Sequence, residues 1–362
     1  MKINFMGDVM LGELLETYRQ GLITTLDRQT IDPFAGVRTI LDKAEFNVIN
    51  LECIFSDQSC LPLPFSKILI APERYLEFLV DNRINVVNTA NNHALDHGED
   101  AFARSCALLQ ARGITIMGYE PKSYFQQEPS VIERLGKKLG FLGYNISNFS
   151  EPDRETTMRN ISAVIANARP EVDSLVISMH WGEEYANLPP GYVIRYGKML
   201  LEAGADIIHG HHSHQVQGVH SQGGKIFAPS LGNFVFDQLI PDNRITAILQ
   251  VDTQGPGLRY DFLPCYLNDR YQPEPAPRFT DYLANITSRL AASMADGMEN
   301  TCDQEVMRRI HRGHQANRRR MRLLMLKHFW DYLPHIKKIR EYRHSAKKTF
   351  SVIDGLQSLP RS

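Results

Sequence analysis

Short apolar runs alternate with stretches of helical periodicity over roughly residues 1–235. Ile3–Met6, Phe46–Leu51, Ile84–Asn88, Ile114–Met117, Leu139–Tyr144, Leu175–Met179 and Asp206–His209 read as strands. Between them, Pro33–Ala44 reads as a helix with Asp32 as N-cap and Pro33 in its first turn, and Pro72–Asn82 as another. Gly98–Arg112 and Pro190–Ala203 are further helices, ended by Gly113 and Gly204. This βαβα alternation predicts an α/β domain with much parallel sheet. From Lys225 the pattern changes. Lys225–Phe227, Ile245–Val251 and Leu258–Pro264 follow one another as strands, with turns at Gly223-Gly224 and Gly255-Pro256-Gly257. A run of strands without helices predicts antiparallel pairing and room for a second sheet. Tyr271–Arg278 is Pro-rich and reads as a linker, followed by helical Asp281–Ala295 and Glu305–Trp330. The expected organisation is a domain over residues 1–270 and a linker with a basic helical extension over residues 271–362.

Composition adds one asymmetry. The chain is 43% hydrophobic and 22% charged, an ordinary globular balance, and its formal net charge is −1. Yet Val306–Phe350 holds 14 Lys/Arg against 2 Asp/Glu, so the preceding part is net acidic. The apolar stretch within Arg318–Trp330, flanked by cations, admits three readings. It docks on the acidic domain or in a dimer, or it rests on anionic lipid, where each cation contributes about 1 kcal/mol. Nucleic acid ranks last, because aromatic residues are few and not interleaved along a stripe. Five cysteines (Cys53, Cys60, Cys106, Cys265, Cys302) are odd in number and scattered, as expected of reduced thiols. Met1–Met6 runs directly into a polar loop, and no apolar run approaches a membrane span. The expected location is the cytoplasm, peripheral to the inner membrane face if the basic helix meets lipid.

The chemistry is concentrated at four loops. Gly210-His211-His212-Ser213-His214 places three imidazoles within four residues, directly after the apolar run ending at Ile208. Gly7-Asp8, Asn91-Asn92-His93 and His180-Trp181-Gly182 each also follow a strand-like run. Taken singly, each has a plainer explanation. Asp8 suits a turn or helix cap, His180 a hydrogen-bonded core histidine, and Asn92 a left-handed turn position. Together they stand where α/β folds gather ligands, at the carboxyl ends of strands, and point to one metal site. His97, His209 and His220 read as structural, and Lys67 as a solvated surface cation.

Gly7–Gly12, Asn50-Leu51-Glu52, Ala90–Gly98, His180–Tyr185, Gly210–His214 and Ser230–Phe234 resemble the CapA (poly-γ-glutamate capsule synthesis) family, in its order and spacing. That family is a branch of the calcineurin-like metallophosphoesterase superfamily, and the resemblance covers residues 1–240. It implies a four-layer αββα sandwich binding one or two divalent metal ions, with Mn, Fe or Zn suited to mixed imidazole and carboxylate ligands. By the same resemblance Asp8 and His214 bind the first metal and Glu52 bridges. Asn92, His180 and His212 bind the second, with His211 as the alternative to His212. His93 protonates the leaving group, with Asp96 orienting its ring. Glu183, Asn233 and His211 are candidate substrate contacts, as is Glu184, with a solvated loop an equal alternative for the two glutamates. Two departures from the superfamily stand out. Asp8-Val9-Met10 lacks the imidazole of an Asp-x-His motif, and Glu52 replaces an Asp. Ser213 stands where the family usually has Pro.

The implied activity is metal-dependent hydrolysis of a phosphoester in capsule or cell-envelope polymer synthesis. The expected partner is an anionic small molecule or an envelope polymer precursor. Two alternatives remain open: a non-hydrolytic polymer-binding assembly role, and hydrolysis of a γ-glutamyl-type amide. Specificity is expected in the loops Phe55–Lys67, Pro121–Pro129 and Asn145–Thr157.

Overall fold

Two β-sheets pack face to face, each with helices on its outer side. The structure is a computed structural model. It describes residues 1–330 apart from 15–16, 18–19, 30, 58–68, 122, 255–256, 297–303 and 328–329. Lys67, Cys60, Cys302 and the basic chain beyond Trp330 lie outside the described residues. In chain order the strands are β1 (Lys2–Val9), β2 (Phe46–Leu51), β3 (Ile54–Phe55), β4 (Ile70–Ala71), β5 (Val86–Asn88), β6 (Thr115–Met117), β7 (Ser130–Arg134), β8 (Lys137–Asn145), β9 (Ser174–His180) and β10 (Ile207–His211). They continue as β11 (His220–Gln222), β12 (Lys225–Ala228), β13 (Asn233–Val235), β14 (Ile245–Asp252), β15 (Arg259–Leu267) and β16 (Pro273–Pro275). The helices are α1 (Leu22–Arg28), α2 (Arg38–Leu41), α3 (Leu76–Asp81), α4 (Glu99–Ala111), α5 (Glu151–Ala168), α6 (Gly191–Ala203), α7 (Thr280–Asp296) and α8 (Gln304–Lys327).

Sheet I runs β16-β15-β14-β1-β2-β5-β6, with β13 also paired to β1, and sheet II runs β11-β12-β10-β9-β8-β7. Alternation along each strand builds three apolar layers. Ile3, Phe5, Val48, Phe141, Val176 and Ile207 fill the space between the sheets. Met6, Ile49, Leu51 and Val87 face the other way, against Leu26, Leu41, Leu79 and Leu109 of α1–α4. Leu175, Ile177 and Met179 face Ile161, Ile165 and Leu200 of α5 and α6. The fold is a four-layer αββα sandwich. Burying both faces of the central strands accounts for their near-continuous apolar runs.

Several expected elements differ. Pro33–Ala44 is not one helix but a 3₁₀ turn at Ala35–Val37 followed by the short α2. Asp32 does accept a hydrogen bond from the Phe34 amide at 2.9 Å. Gly36 passes so close to the chain opposite that a Cβ there would lie 2.5 Å from the Pro273 carbonyl oxygen. Tyr271–Arg278 is not a free linker. Pro273–Pro275 adds an edge strand to β15, where a missing N–H is tolerated because one side of the strand is unpaired. The strand at Lys225 joins sheet II in parallel with β10, whereas β14 and β15 pair antiparallel within sheet I. Helices α1 and α5 were not expected. Residues 151–157, read as loop, form the polar first turns of α5 with Pro152 near its start. Among the described residues no helix is long and apolar enough to cross a membrane.

Candidate metal centre

The carboxyl ends of β1, β2, β5, β9 and β10 meet at one end of the seam between the sheets, and strand parity decides what arrives there. On β2, Val48 faces the inter-sheet core and Ile49 and Leu51 face the helices. Asn50 and, just past the strand, Glu52 therefore share the inter-sheet side. On β9, Val176 faces inward, and so do Ser178 and His180; on β10, Ile207 sets the same parity for His209 and His211. A bulge between Phe5 and Asp8 bends β1 and brings Asp8 to this end. Gly7 has no room for a side chain, since a Cβ would stand 1.8 Å from the Gly232 carbonyl oxygen. That close approach lets β13 lie against β1, with the Asp8 amide donating to Gly232 at 2.9 Å.

Asp8 is wholly buried. Its Oδ1 accepts from Asn50 Nδ2 at 2.9 Å, and Asn50 Oδ1 accepts from Asn88 at 2.9 Å. His211 Nδ1 lies 3.0 Å from Asp8 Oδ1 but is not aligned to donate, and its Nε2 meets Ser178 Oγ at 3.1 Å. His214 Nδ1 is 3.7 Å from Asp8 Oδ2 and 2.9 Å from Asn233 Oδ1. Burial pushes the Asp8 carboxyl up, but His211, His214 and Asn50 outweigh it and hold it below its ordinary value. His212 and His214 take left-handed backbone at φ +91° and +56°. Each such position costs roughly 1–3 kcal/mol, tolerated where the surroundings dictate it.

Glu52 lies at the middle of the cluster. It is wholly buried, and neither carboxylate oxygen has a hydrogen-bond partner. Oε1 is 3.9 Å from His93 Nε2 and 4.0 Å from His180 Nε2. Burial raises its pKa well above the carboxylate range, and the charges of Asp8, Glu184 and Asp96 add to the rise. The imidazoles shift in the opposite direction. Burial first, then neighbouring imidazoles, hold His180 far below its usual value, and burial pushes His212 down to about 4. His180 Nε2 lies 2.7 Å from Asn92 Oδ1 and 3.1 Å from His212 Nδ1. Asp8, Glu52 and His214 can place one donor atom each within 4.8 Å of one another. A donor-less buried carboxylate beside neutral imidazoles fits a divalent cation with mixed oxygen and nitrogen ligands, since ligation needs both in these forms.

His93 is the more accessible member. Its Nδ1 lies 2.8 Å from Asp96 Oδ2, which fixes the ring and favours the Nδ1–H tautomer, while Nε2 is 3.1 Å from Asn92 Nδ2. Asn91 holds this loop by donating to the Leu51 carbonyl at 2.9 Å and accepting from the His93 amide at 3.0 Å.

The structure thus gathers Asp8, Glu52, Asn92, His93, Asp96, His180, His212 and His214. His211 packs behind Asp8 on Ser178, while His212 faces His180. Asn233 lies beside His214 and donates to the Asn243 carbonyl at 3.3 Å. Glu183 is exposed, and it is the neighbouring Glu184 that feels the charges of His214, His212 and His93. Met10, at the position of the missing imidazole, is buried in the helix-side core. Sequence reasoning assigned no role to Asn50, Asn88 or Ser178. The available signal was a polar residue in a largely apolar strand, two residues before Glu52 or His180 for Asn50 and Ser178, and at the strand's own end for Asn88.

The bacterial capsule synthesis protein family, PGA_cap, matches residues 2–238. The PGA biosynthesis protein CapA of Bacillus subtilis is 27% identical over 298 residues, covering 79% of this chain and 76% of the relative. The capsule biosynthesis protein CapA of Bacillus anthracis is 29% identical over 203 residues, 52% of this chain and 49% of its own length. A hypothetical protein from Thermus thermophilus is a structural neighbour with a TM-score of 0.47 at 14% identity, covering 76% of this chain and 100% of its own.

Proposed function

The chain belongs to the bacterial capsule synthesis protein family PGA_cap, and from that premise we propose that it is a metal-dependent hydrolase. Its substrate is a phosphoester in an anionic precursor of a capsule or envelope polymer. The observation that carries the reading is Glu52, a buried carboxylate with no hydrogen-bond donor, set between His93 and His180. An isolated charge in such a place is strongly unfavourable, and a cation removes the penalty.

Asp8, Glu52 and His214 would hold one cation; Glu52, Asn92, His180 and His212 would hold a second, of the Mn, Fe or Zn type. Bound there, a divalent cation polarises the scissile phosphoryl group and acidifies water towards a pKa of roughly 7. The two sets are unequal. The Asp8 set has a single imidazole, because Met10 is turned into the core, so the His180 set is the stronger binder. Asn50 orients the Asp8 carboxylate through its hydrogen bond, and the adjacent His211 helps to keep it ionised. His93, held by Asp96, delivers the proton to the leaving oxygen from Nε2, and the imidazolium formed on reprotonation is stabilised by the Asp96 carboxylate. Hydrolysis of an amide would use the same groups, with His93 protonating a departing nitrogen.

Elemental analysis should find one or two divalent ions per chain. Turnover of an aryl phosphate with added Mn²⁺ should be lost in the Asp8→Asn, His93→Ala double variant. Turnover that survives both substitutions overturns the proposal. Tight binding of an acidic polymer with neither ester nor amide cleaved would favour an assembly role instead.

A further inference from the structure

Strand β13 spans three residues and lies off the main path of sheet I, yet the chain entering it ties the two sides of the centre together. On one flank it meets the carboxylate strand: the Asp8 amide donates to the Gly232 carbonyl at 2.9 Å, and Asp8 stands opposite Asn233 in the β1–β13 register. On the other flank it meets the chain that leaves the histidine block. There the Gln217 amide donates to the Ser230 carbonyl at 3.0 Å, and Val216 bridges to Leu231. The Thr246 hydroxyl, from β14, donates to the Leu231 carbonyl at 2.9 Å. This strap sets Asn233, wholly buried, against the ring of His214, with Oδ1 2.9 Å from Nδ1. Among the described residues no other group lies within hydrogen-bonding distance of that nitrogen. Asp8 Oδ2 is too far at 3.7 Å, and Phe236 and Tyr185 offer the ring aromatic faces and edges, with centroids at 5.2 and 6.4 Å. The amide is held from behind as well. Its Nδ2 donates to the Asn243 carbonyl at 3.3 Å, and Asn243 Oδ1 accepts from Gln215 Nε2 at 2.9 Å. Turning the amide over would set its oxygen against the Asn243 carbonyl oxygen, so Oδ1 is the atom that faces His214.

We propose that Asn233 is a positioning residue of the centre, which holds His214 as the Nδ1–H tautomer and so leaves Nε2 as its ligating nitrogen. An acceptor fixed at Nδ1 decides where the ring proton sits, because a neutral imidazole carries one proton and one lone pair. It also fixes the ring's rotation, so that the lone pair need not be oriented when a cation arrives. An amide does this without adding charge. A carboxylate at 233 would set a second buried negative charge beside Asp8. The strap Ser230–Asn233 thus has a use in the chemistry: it leaves sheet II after β12 and returns to β1 carrying one neutral acceptor. That makes Asn233 a support for His214 rather than a substrate contact. The inference rests on the proposed hydrolase in taking His214 as a ligand, but its readouts do not require turnover.

The test uses the full chain with nitrogen-15-labelled histidine, metal-free and then titrated with Zn²⁺, at about pH 8, above the ordinary imidazole pKa. Long-range proton–nitrogen correlation spectra report the tautomer of each ring, and the His214 signals are those lost in His214→Gln. Metal-free wild type and Asn233→Asp should both show His214 protonated on Nδ1, whereas Asn233→Ala should show a mixture of tautomers. Zn²⁺ affinity of the weaker, Asp8 class of site, by calorimetry, should fall roughly 10–100-fold for Asn233→Ala. Asn233→Asp, which keeps the acceptor, should recover most of that loss. A wild-type His214 protonated on Nε2 overturns the inference, and so does an Asn233→Ala protein with unchanged tautomer and unchanged Zn²⁺ affinity. If Asn233→Ala does not fold, the wild-type and Asn233→Asp spectra still decide. A wild type that binds Zn²⁺ in this way but cleaves neither ester nor amide sinks the hydrolase reading and leaves the role of Asn233 standing. A ring protonated on Nε2 sinks that role whatever is hydrolysed.

Discussion

Sheet I and sheet II bring opposite chemistry to the same seam. From sheet I come oxygen donors, Asp8, Glu52 and Asn92, together with the His93–Asp96 pair. From sheet II come the imidazoles of His180, His212 and His214. Burial acts on the two sides with opposite sign: it raises Glu52 and lowers His180 and His212. Each sheet by itself would carry a cluster that low dielectric disfavours. Brought within 4 Å, as Glu52 and His180 are, the two clusters offer complementary donor types for the proposed cation. The centre is therefore a property of the packing between sheets, and breaking either side or the seam should be separable by measurement.

The largest effect is expected at His93, the proposed proton donor of the oxygen side. His93→Ala at saturating Mn²⁺ should lower kcat by roughly 10²–10⁴-fold, with metal content unchanged. A drop in metal content of the same size would instead make His93 a ligand. The seam comes next. Phe141 is fully buried between the sheets, and Phe141→Ala should cost about 3–5 kcal/mol in denaturant unfolding without removing a donor. A cost under about 1 kcal/mol would mean that the sheets do not depend on this contact.

The nitrogen side should respond to pH. Burial lowers His212 from 6.5 to about 4 in the folded protein. Its contribution to stability is therefore fully present above about pH 6.5 and is lost as pH falls through about 4. The melting temperature of chelator-treated protein should fall across that window, and His212→Asn should flatten the profile. A supporting residue of the oxygen side should matter less. Asn50→Ala, which frees Asp8, should weaken Mn²⁺ binding by roughly 10–100-fold. The smallest effect is expected at Glu183, which is exposed. Glu183→Gln should stay within about 0.5 kcal/mol of wild-type stability and leave kcat unchanged, whereas Glu184→Gln should alter substrate affinity.

Much of the gathered cluster was legible because the polar residues at strand ends are written locally, directly after apolar runs. Asp8, Asn92, His180 and the His211–His214 block all announced themselves that way. The choice between His211 and His212 was not legible. The register of β10 on β9 sets His211 opposite His180, yet the left-handed turn just past the strand brings His212 Nδ1 to 3.1 Å from His180 Nε2. Glu183 and Glu184 pose the same problem: Glu183 is exposed, and Glu184 feels the imidazoles. Elements that depend on distant partners were also hidden. Proline-rich Pro273–Pro275 is a strand only because β15 offers it an edge.

The sequence by itself determined the alternation of strands and helices, the αββα class through its family resemblance, and the identity of the donor atoms. These are encoded in short windows, where side-chain periodicity and backbone preference act over a few residues. Only the tertiary structure decided which of these donors lie together and which histidine faces His180. Those outcomes depend on strand register and on contacts between segments over a hundred residues apart, whose free energy exists only once the sheets have packed.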